Sequence, residues 1–147
     1  MKRVLPPTYF LIAGLAMLAL HLLAPLALLV PWPWSLVGLV PIVAGAALNV
    51  VADRHFKRAG TTIKPFETSS ALVTDGPFRY SRNPMYLGML AMLAGLWLLI
   101  GTLGPLVVLP IFFWVIRQRF VLPEEDAMAQ QFGSAWEDYQ RKVRRWL

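Results

Sequence analysis

Residues 85–116 read MYLGMLAMLAGLWLLIGTLGPLVVLPIFFWVI, a run without one charged side chain. Drawn as a single helix it would be roughly 48 Å long at 1.5 Å per residue, against a bilayer hydrocarbon core of about 30 Å. It must fold back on itself. Gly101-Thr102-Leu103-Gly104-Pro105 holds the residues a turn needs, so the stretch predicts two apolar helices joined as a hairpin.

Two more apolar runs precede it. Tyr9 to Val30 is broken only by His21 and Pro25, and Ser35 to Ala52 contains Pro41 and Asn49. The expected fold is therefore an all-α integral membrane protein with four transmembrane helices, the last two forming a C-terminal helical hairpin. The composition agrees, since 57% of the residues are hydrophobic and 147 residues allow one domain. Residues 1–58 hold the two N-terminal spans and residues 59–147 the remainder. The first run is too long for a cleavable signal, lacks a small-residue cleavage site and is followed by further spans. With no cysteine and two distant histidines, His21 and His55, no metal site is expected.

Charge sets the topology. Lys2 and Arg3 precede the first span; Arg54, Lys57, Arg58, Lys64, Arg79 and Arg82 occupy the loop after the second. Arg117, Arg119, Arg141, Lys142, Arg144 and Arg145 follow the fourth. Pro31-Trp32-Pro33-Trp34 and the Gly101 turn are uncharged. All fourteen Lys and Arg residues then fall on one side, which places both termini in the cytoplasm. The net charge of +6 in so apolar a chain fits anionic headgroups, and no nucleic-acid partner is expected. A bacterial inner membrane is the expected location.

Function must then lie in the loop from Asp53 to Asn83 and in the tail, because the outer connections are too short to hold a site. In the tail, Phe132, Trp136, Tyr139, Val143 and Trp146 recur at helical spacing, predicting an amphipathic cytoplasmic helix. It would lie on the membrane surface or cap the bundle. Pro123-Glu124-Glu125-Asp126 could serve simply as a helix start, proline in the first turn and acids at the positive dipole end. That explains one or two of the three acids. The stretch DGPFRYSRNPMYLGML, Asp75 to Leu90, reads first as a turn, an Asn83 cap and a first-turn Pro84. Phe78, Tyr80 and Tyr86 beside Arg79 and Arg82 are left over, offering stacking surfaces near exposed helix-start donors.

Gly76-Pro77-Phe78-Arg79-Tyr80, Arg82-Asn83-Pro84-Met85-Tyr86-Leu87-Gly88, Glu124-Glu125, and Phe132-Gly133 followed by Tyr139 and Val143 together resemble the isoprenylcysteine carboxyl methyltransferase family. That family is similar in turn to the membrane phospholipid N-methyltransferases. The resemblance covers residues 60 to 147, including Gly60-Thr61-Thr62 and Ala71-Leu72-Val73-Thr74. It implies S-adenosylmethionine bound between the last two helices, the preceding loop and the tail. By the same resemblance Ser70, Ala71, Leu72, Val73 and Phe78 would line the cofactor. Arg82, Asn83, Pro84, Met85 and Tyr86 would form the corner around it, and Glu124 would hold its polar end. Asn83 stands where the eukaryotic enzymes have histidine, and Phe120 where they have a substrate-binding arginine, for which Arg119 or Arg117 could substitute.

Methyl transfer from a sulfonium needs positioning and a dry pocket more than a metal or strong acid. A carboxylate acceptor would be oriented by arginine, with Arg119 the candidate; an amine acceptor must lose a proton, with Glu125 the nearest base. The acceptor is expected to be a lipid or lipidated molecule entering from the bilayer. Two rival readings remain, a nicotinamide-dependent membrane reductase of the sterol-reductase type and a non-enzymatic membrane interaction protein. Elsewhere, His21 and Asn49 read as helix–helix hydrogen bonds. Ala44-Gly45-Ala46-Ala47 and Gly88, Ala91 and Gly95 read as sites of close helix contact.

Overall fold

The computed structural model describes residues 4–60 and 70–147. Lys2, Arg3, Thr61, Thr62 and Lys64 lie outside the described residues, and with them part of the expected charge pattern and of the Gly60-Thr61-Thr62 approach.

Helix α1 spans Pro6–Leu23 and starts on two prolines, which suit a first turn whose N–H groups have no partner. It ends well short of Val30, because Pro25 cannot continue a helix and disfavours helical geometry in the residue before it. A 3-10 turn, Trp34–Gly38, leads into α2, Leu39–Arg58. That helix runs past Ala52 and carries His55, Lys57 and Arg58 in its last turn, where cations oppose the helix dipole. Helix α3 spans Pro84–Ile100, and α4 spans Val108–Ile116. A π-helical stretch, Arg117–Val121, carries α4 without a break into α5, Leu122–Phe132, and α6 follows at Ser134–Lys142. All regular structure among the described residues is helical, apart from one bridge between Leu28 and Thr102.

Three helical stretches are long and apolar enough to cross a membrane: Pro6–Leu23, Trp34–Arg58 and Gly104–Phe132. Pro84–Ile100 is apolar but shorter. Leu11, Ile12, Leu15 and Leu22 of α1 and Val40 and Val43 of α2 are exposed, the outward apolar faces a bilayer would cover.

The expected turn is present. Gly101 closes α3 in the left-handed region, φ 75°, and its N–H bonds to Trp97 O at 2.8 Å. The hairpin is less exclusive than the sequence suggests, because the broadest contact of α3 is with α2 rather than α4. Glycine is the reason. A Cβ on Gly45 would fall on the Gly88 carbonyl oxygen, and one on Gly95 on the Gly38 carbonyl oxygen. Helices bare at these points approach backbone to backbone, whereas α4 meets its neighbours through bulky side chains such as Phe112.

The two uncharged connections meet at one end of the bundle. Leu29 and Val30 donate to Gly101 O, Leu103 to Ala27 O, and Gly104 to Pro25 O. Beside them His21 Nδ1 and Thr102 Oγ1 are 3.0 Å apart, so this histidine ties α1 to the turn after α3 and not to another helix. Asn49 differs: its amide donates to Gly45 O within α2, back-bonding along its own helix. The loop and tail residues gather at the other end.

Candidate functional site

At that second end the tail closes over the bundle. The expected continuous tail helix is interrupted at Gly133, whose φ of 50° ends α5 and redirects the chain. Trp136, Tyr139 and Val143 then turn inward and pack with Ala52, Val73 and Phe78. These three residues of the aromatic stripe therefore pack against the bundle. Tyr139 donates its hydroxyl to Phe78 O at 2.7 Å, fixing the Gly76–Arg79 turn. Burial pushes that phenol up to about 12, partly offset by Arg82, so it stays a donor.

Beside this cluster lies an ionic knot. Arg82 reaches Glu125 Oε1 through Nε at 3.2 Å and Nη2 at 3.0 Å, and Arg145 reaches Oε2 through Nε at 2.9 Å and Nη2 at 2.7 Å. Only 8% of the Glu125 side chain is exposed. Arg82 also donates to the carbonyls of Gln140 and Val143. The Arg82 N–H bonds to Arg144 O, while Ser81 Oγ and Asn83 Nδ2 both donate to Arg145 O. The residues ahead of α3 are thus bound to the tail at every position from Ser81 to Asn83. Asn83 consequently does not cap α3 with its side chain; Ser81 Oγ accepts the Asn83 N–H instead.

Glu124 faces a different neighbourhood. Tyr86, in the first turn of α3, donates its hydroxyl to Glu124 Oε1 at 2.7 Å. Phe120 lies between Tyr86 and Tyr9, its ring centroid 6.4 Å from the first and 5.5 Å from the second. No cation pairs with Glu124 among the described residues. Glu124 lies in the first turn of α5, past Arg117 and Arg119 on the stretch Gly104–Phe132.

The helix-start reading of the acids fails on the backbone. Val121 and Arg117 are both in helical geometry, so α4 and α5 are one continuous rod with no free N-terminus at Glu124. Pro123, lacking an N–H and crowding the preceding turn, accounts for the local π-helical widening. That widening turns Ile116, Phe120 and Val121 all into the core, each 2% exposed or less.

The expected site residues separate into three groups. Leu72, Val73, Phe78 and Met85 join the tail cluster, with Ala71 half-buried just ahead of them. Arg82, Asn83 and Glu125 form the knot, with buried Pro84 starting the helix beside them. Tyr86 and Glu124 stand together against Phe120. Ser70 is exposed and donates to Gly60 O, and Arg119 is exposed on the π-helical stretch; neither is brought to the others.

Sequence reasoning passed over Arg145, read as a topology charge, and Ser81 and Tyr9, for which spacing gave no signal. Trp136 was read only as part of a stripe. It is 4% exposed, lies under the Arg82 guanidinium at 5.8 Å, and its Nε1 has no hydrogen-bond partner among the described residues. A buried N–H without an acceptor is costly, and it is the kind of group a ligand satisfies.

Comparison with known proteins bears on this arrangement. Residues 34–135 match the family model described as phospholipid methyltransferase. A protein-S-isoprenylcysteine O-methyltransferase of Schizosaccharomyces pombe is 31% identical over 72 residues, 49% of this chain and 30% of that protein. A probable protein-S-isoprenylcysteine O-methyltransferase of Oryza sativa subsp. indica is 30% identical over 114 residues, 76% of this chain and 60% of that one. The chain thus matches less than two thirds of the length of each of these relatives. No solved structure matches it. Four apolar helices, a knot of loop and tail, and a match over more than half the sequence agree: this chain is a multi-pass membrane protein of the phospholipid methyltransferase family.

Proposed function

We propose that the protein is an S-adenosylmethionine-dependent methyltransferase acting on a lipid or lipidated acceptor at the cytoplasmic membrane face. The observation that carries this reading is the Tyr86–Glu124 pair, a carboxyl group with no cationic partner among the described residues, at the junction of α3 and α5. Leaving such a group uncompensated costs stability, and a cationic ligand recovers it.

The unspent groups fit this cofactor. Its cationic end suits Glu124, its carboxylate suits the excess positive charge of Arg82 and Arg145 over Glu125, and its ring acceptors suit the Trp136 N–H. When bound, S-adenosylmethionine supplies an activated methyl group on sulfur. Val73, Phe78, Leu72 and Met85 would form the apolar wall around it and exclude water. Tyr86 holds the Glu124 carboxyl in place, and Asn83 and Pro84 fix the helix start that aims Tyr86. Ser70 and Ala71 belong to the same wall in this reading, at its exposed margin.

Glu125 is better suited to positioning than to proton transfer, because two arginines occupy its oxygens. Arg119 remains available at the surface for an anionic headgroup. In this reading α1, α2, α3 and the rod of α4 and α5 each cross, which would put every described Lys and Arg on one side and both ends of the chain in the cytoplasm. At 17 residues α3 is about 26 Å long, enough for the hydrocarbon core with slight thinning.

The test is transfer of a labelled methyl group from S-adenosylmethionine to lipid extract by the purified protein. Label appearing in the organic phase, and disappearing with Glu124→Gln, is the expected result. An organic phase without label would reject the activity.

A further inference from the structure

One polar pair at the loop end of the bundle belongs to none of the three groups of the candidate site. His55, in the last turn of α2, has its Nδ1 2.9 Å from Asp75 Oδ2. Asp75 opens the Gly76–Arg79 turn, a position from which a carboxylate ordinarily folds back to accept a backbone N–H. Here it makes no such bond, and its Oδ2 is directed to the histidine instead. A carboxylate accepts, so the proton between them is carried by Nδ1.

Gly76 shows how closely the ring is applied to the turn. Its φ is 56°, in the left-handed region, and a Cβ there would lie 2.3 Å from His55 Nε2 and 2.4 Å from Cε1. The imidazole therefore fills the space of the side chain that Gly76 lacks. One residue further along α2, Phe56 meets Phe78 edge to face, with ring centroids 5.0 Å apart. From the other side, Tyr139 donates to Phe78 O at 2.7 Å. The turn is held between the end of α2 and α6, and buried Phe78 is common to both contacts. An exposed ion pair alone contributes little, and 63% of the Asp75 side chain is exposed. The His55 side chain is only 17% exposed, because its ring lies against the turn.

We propose that His55 is a positioning residue for the methyl-donor site: held by Asp75 and laid over Gly76, its ring sets the turn that delivers Phe78 to the cofactor wall. This rests on the methyltransferase reading above. His55 acts through the turn and not by touching the cofactor. What the position requires is a donor where Nδ1 stands and a flat group against Gly76. Asparagine supplies both on a shorter side chain, whereas leucine fills the space and supplies no donor. Asp53 and Lys57 provide the comparison, a 2.6 Å pair near the same end of α2 that reaches no other element.

The experiment titrates S-adenosylhomocysteine into detergent-purified protein by calorimetry and follows amide hydrogen exchange over residues 72–82 in the same samples without ligand. His55→Leu should weaken binding about tenfold, as loss of a hydrogen bond to a charged group does, and should speed exchange across the turn. His55→Asn should bring affinity back to within about threefold of the parent. Asp75→Ala, made on the exposed partner, should weaken binding as His55→Leu does, and the double variant no further, because both remove one coupling. Asp53→Asn should change neither reading. His55→Leu binding as tightly as the parent, His55→Asn binding as weakly as His55→Leu, or exchange at the turn unmoved by His55→Leu would overturn the proposal. Failure of the parent itself to bind S-adenosylhomocysteine would count against the methyltransferase reading instead. Exchange at the turn would then still decide whether His55 holds it.

Discussion

Tyr86 and Glu124 are joined by a 2.7 Å hydrogen bond that ties the first turn of α3 to the first turn of α5. The bond crosses between two helices that otherwise meet only modestly, and it leaves Glu124 without a positive partner among the described residues. Its neighbour Glu125 has two. Adjacent acids on one helix thus have opposite electrostatic situations, and their substitutions should separate accordingly.

Removing the Glu125 charge strands Arg82 and Arg145 in a partly buried site. Glu125→Gln should destabilise the protein by about 3–5 kcal/mol, the range for breaking one side of a buried ion pair. Glu124→Gln should leave thermal stability near that of the parent and weaken S-adenosylmethionine binding at least about tenfold, or about 1.4 kcal/mol. Thermal unfolding in detergent, paired with calorimetry, reads both. Equal loss of stability in the two variants would contradict the distinction.

Close approach of α2 and α3 makes a prediction about the scaffold alone. Gly88→Val places side-chain atoms where the Gly45 carbonyl and the Asn49 amide already stand. Overpacking of this kind costs about 1–3 kcal/mol, and more where backbone must move. Lowered melting without altered charge or cofactor contacts is the expected outcome, measured against Ala91→Val as a control on the same helix.

Topology is checked separately. Reporter fusions after Trp34 and after Leu147 should report opposite sides of the membrane, because an odd number of crossings separates them when all four apolar helices span. Reports from the same side would mean that Pro84–Ile100, the shortest of the four, does not cross.

Much of this architecture was legible in the residues. The uncharged run from Met85 to Ile116 required a turn, and Gly101 supplied the left-handed cap. The small residues Gly45, Gly88 and Gly95 marked a helix contact that the backbone then made. Helix ends were less legible, since Pro25 stops α1 before its apolar run is spent and Gly133 splits the tail. For the candidate site, the sequence names residues but not their arrangement. Glu124 and Glu125 look alike in sequence, and only the long-range placement of Tyr86, Arg82 and Arg145 makes them different. Tyr9 carried no signal at all, because an aromatic in an apolar helix is ordinary until Phe120 is found against it.

The central claim is that this end of the bundle holds S-adenosylmethionine, and direct titration tests it most simply. Purified protein in detergent is titrated by calorimetry with S-adenosylmethionine and, in parallel, with reduced nicotinamide adenine dinucleotide phosphate. Saturable binding of S-adenosylmethionine, abolished or sharply weakened by Glu124→Gln, with no heat from the nicotinamide, is the expected result. Saturable binding of the nicotinamide alone, or of neither compound, would contradict it.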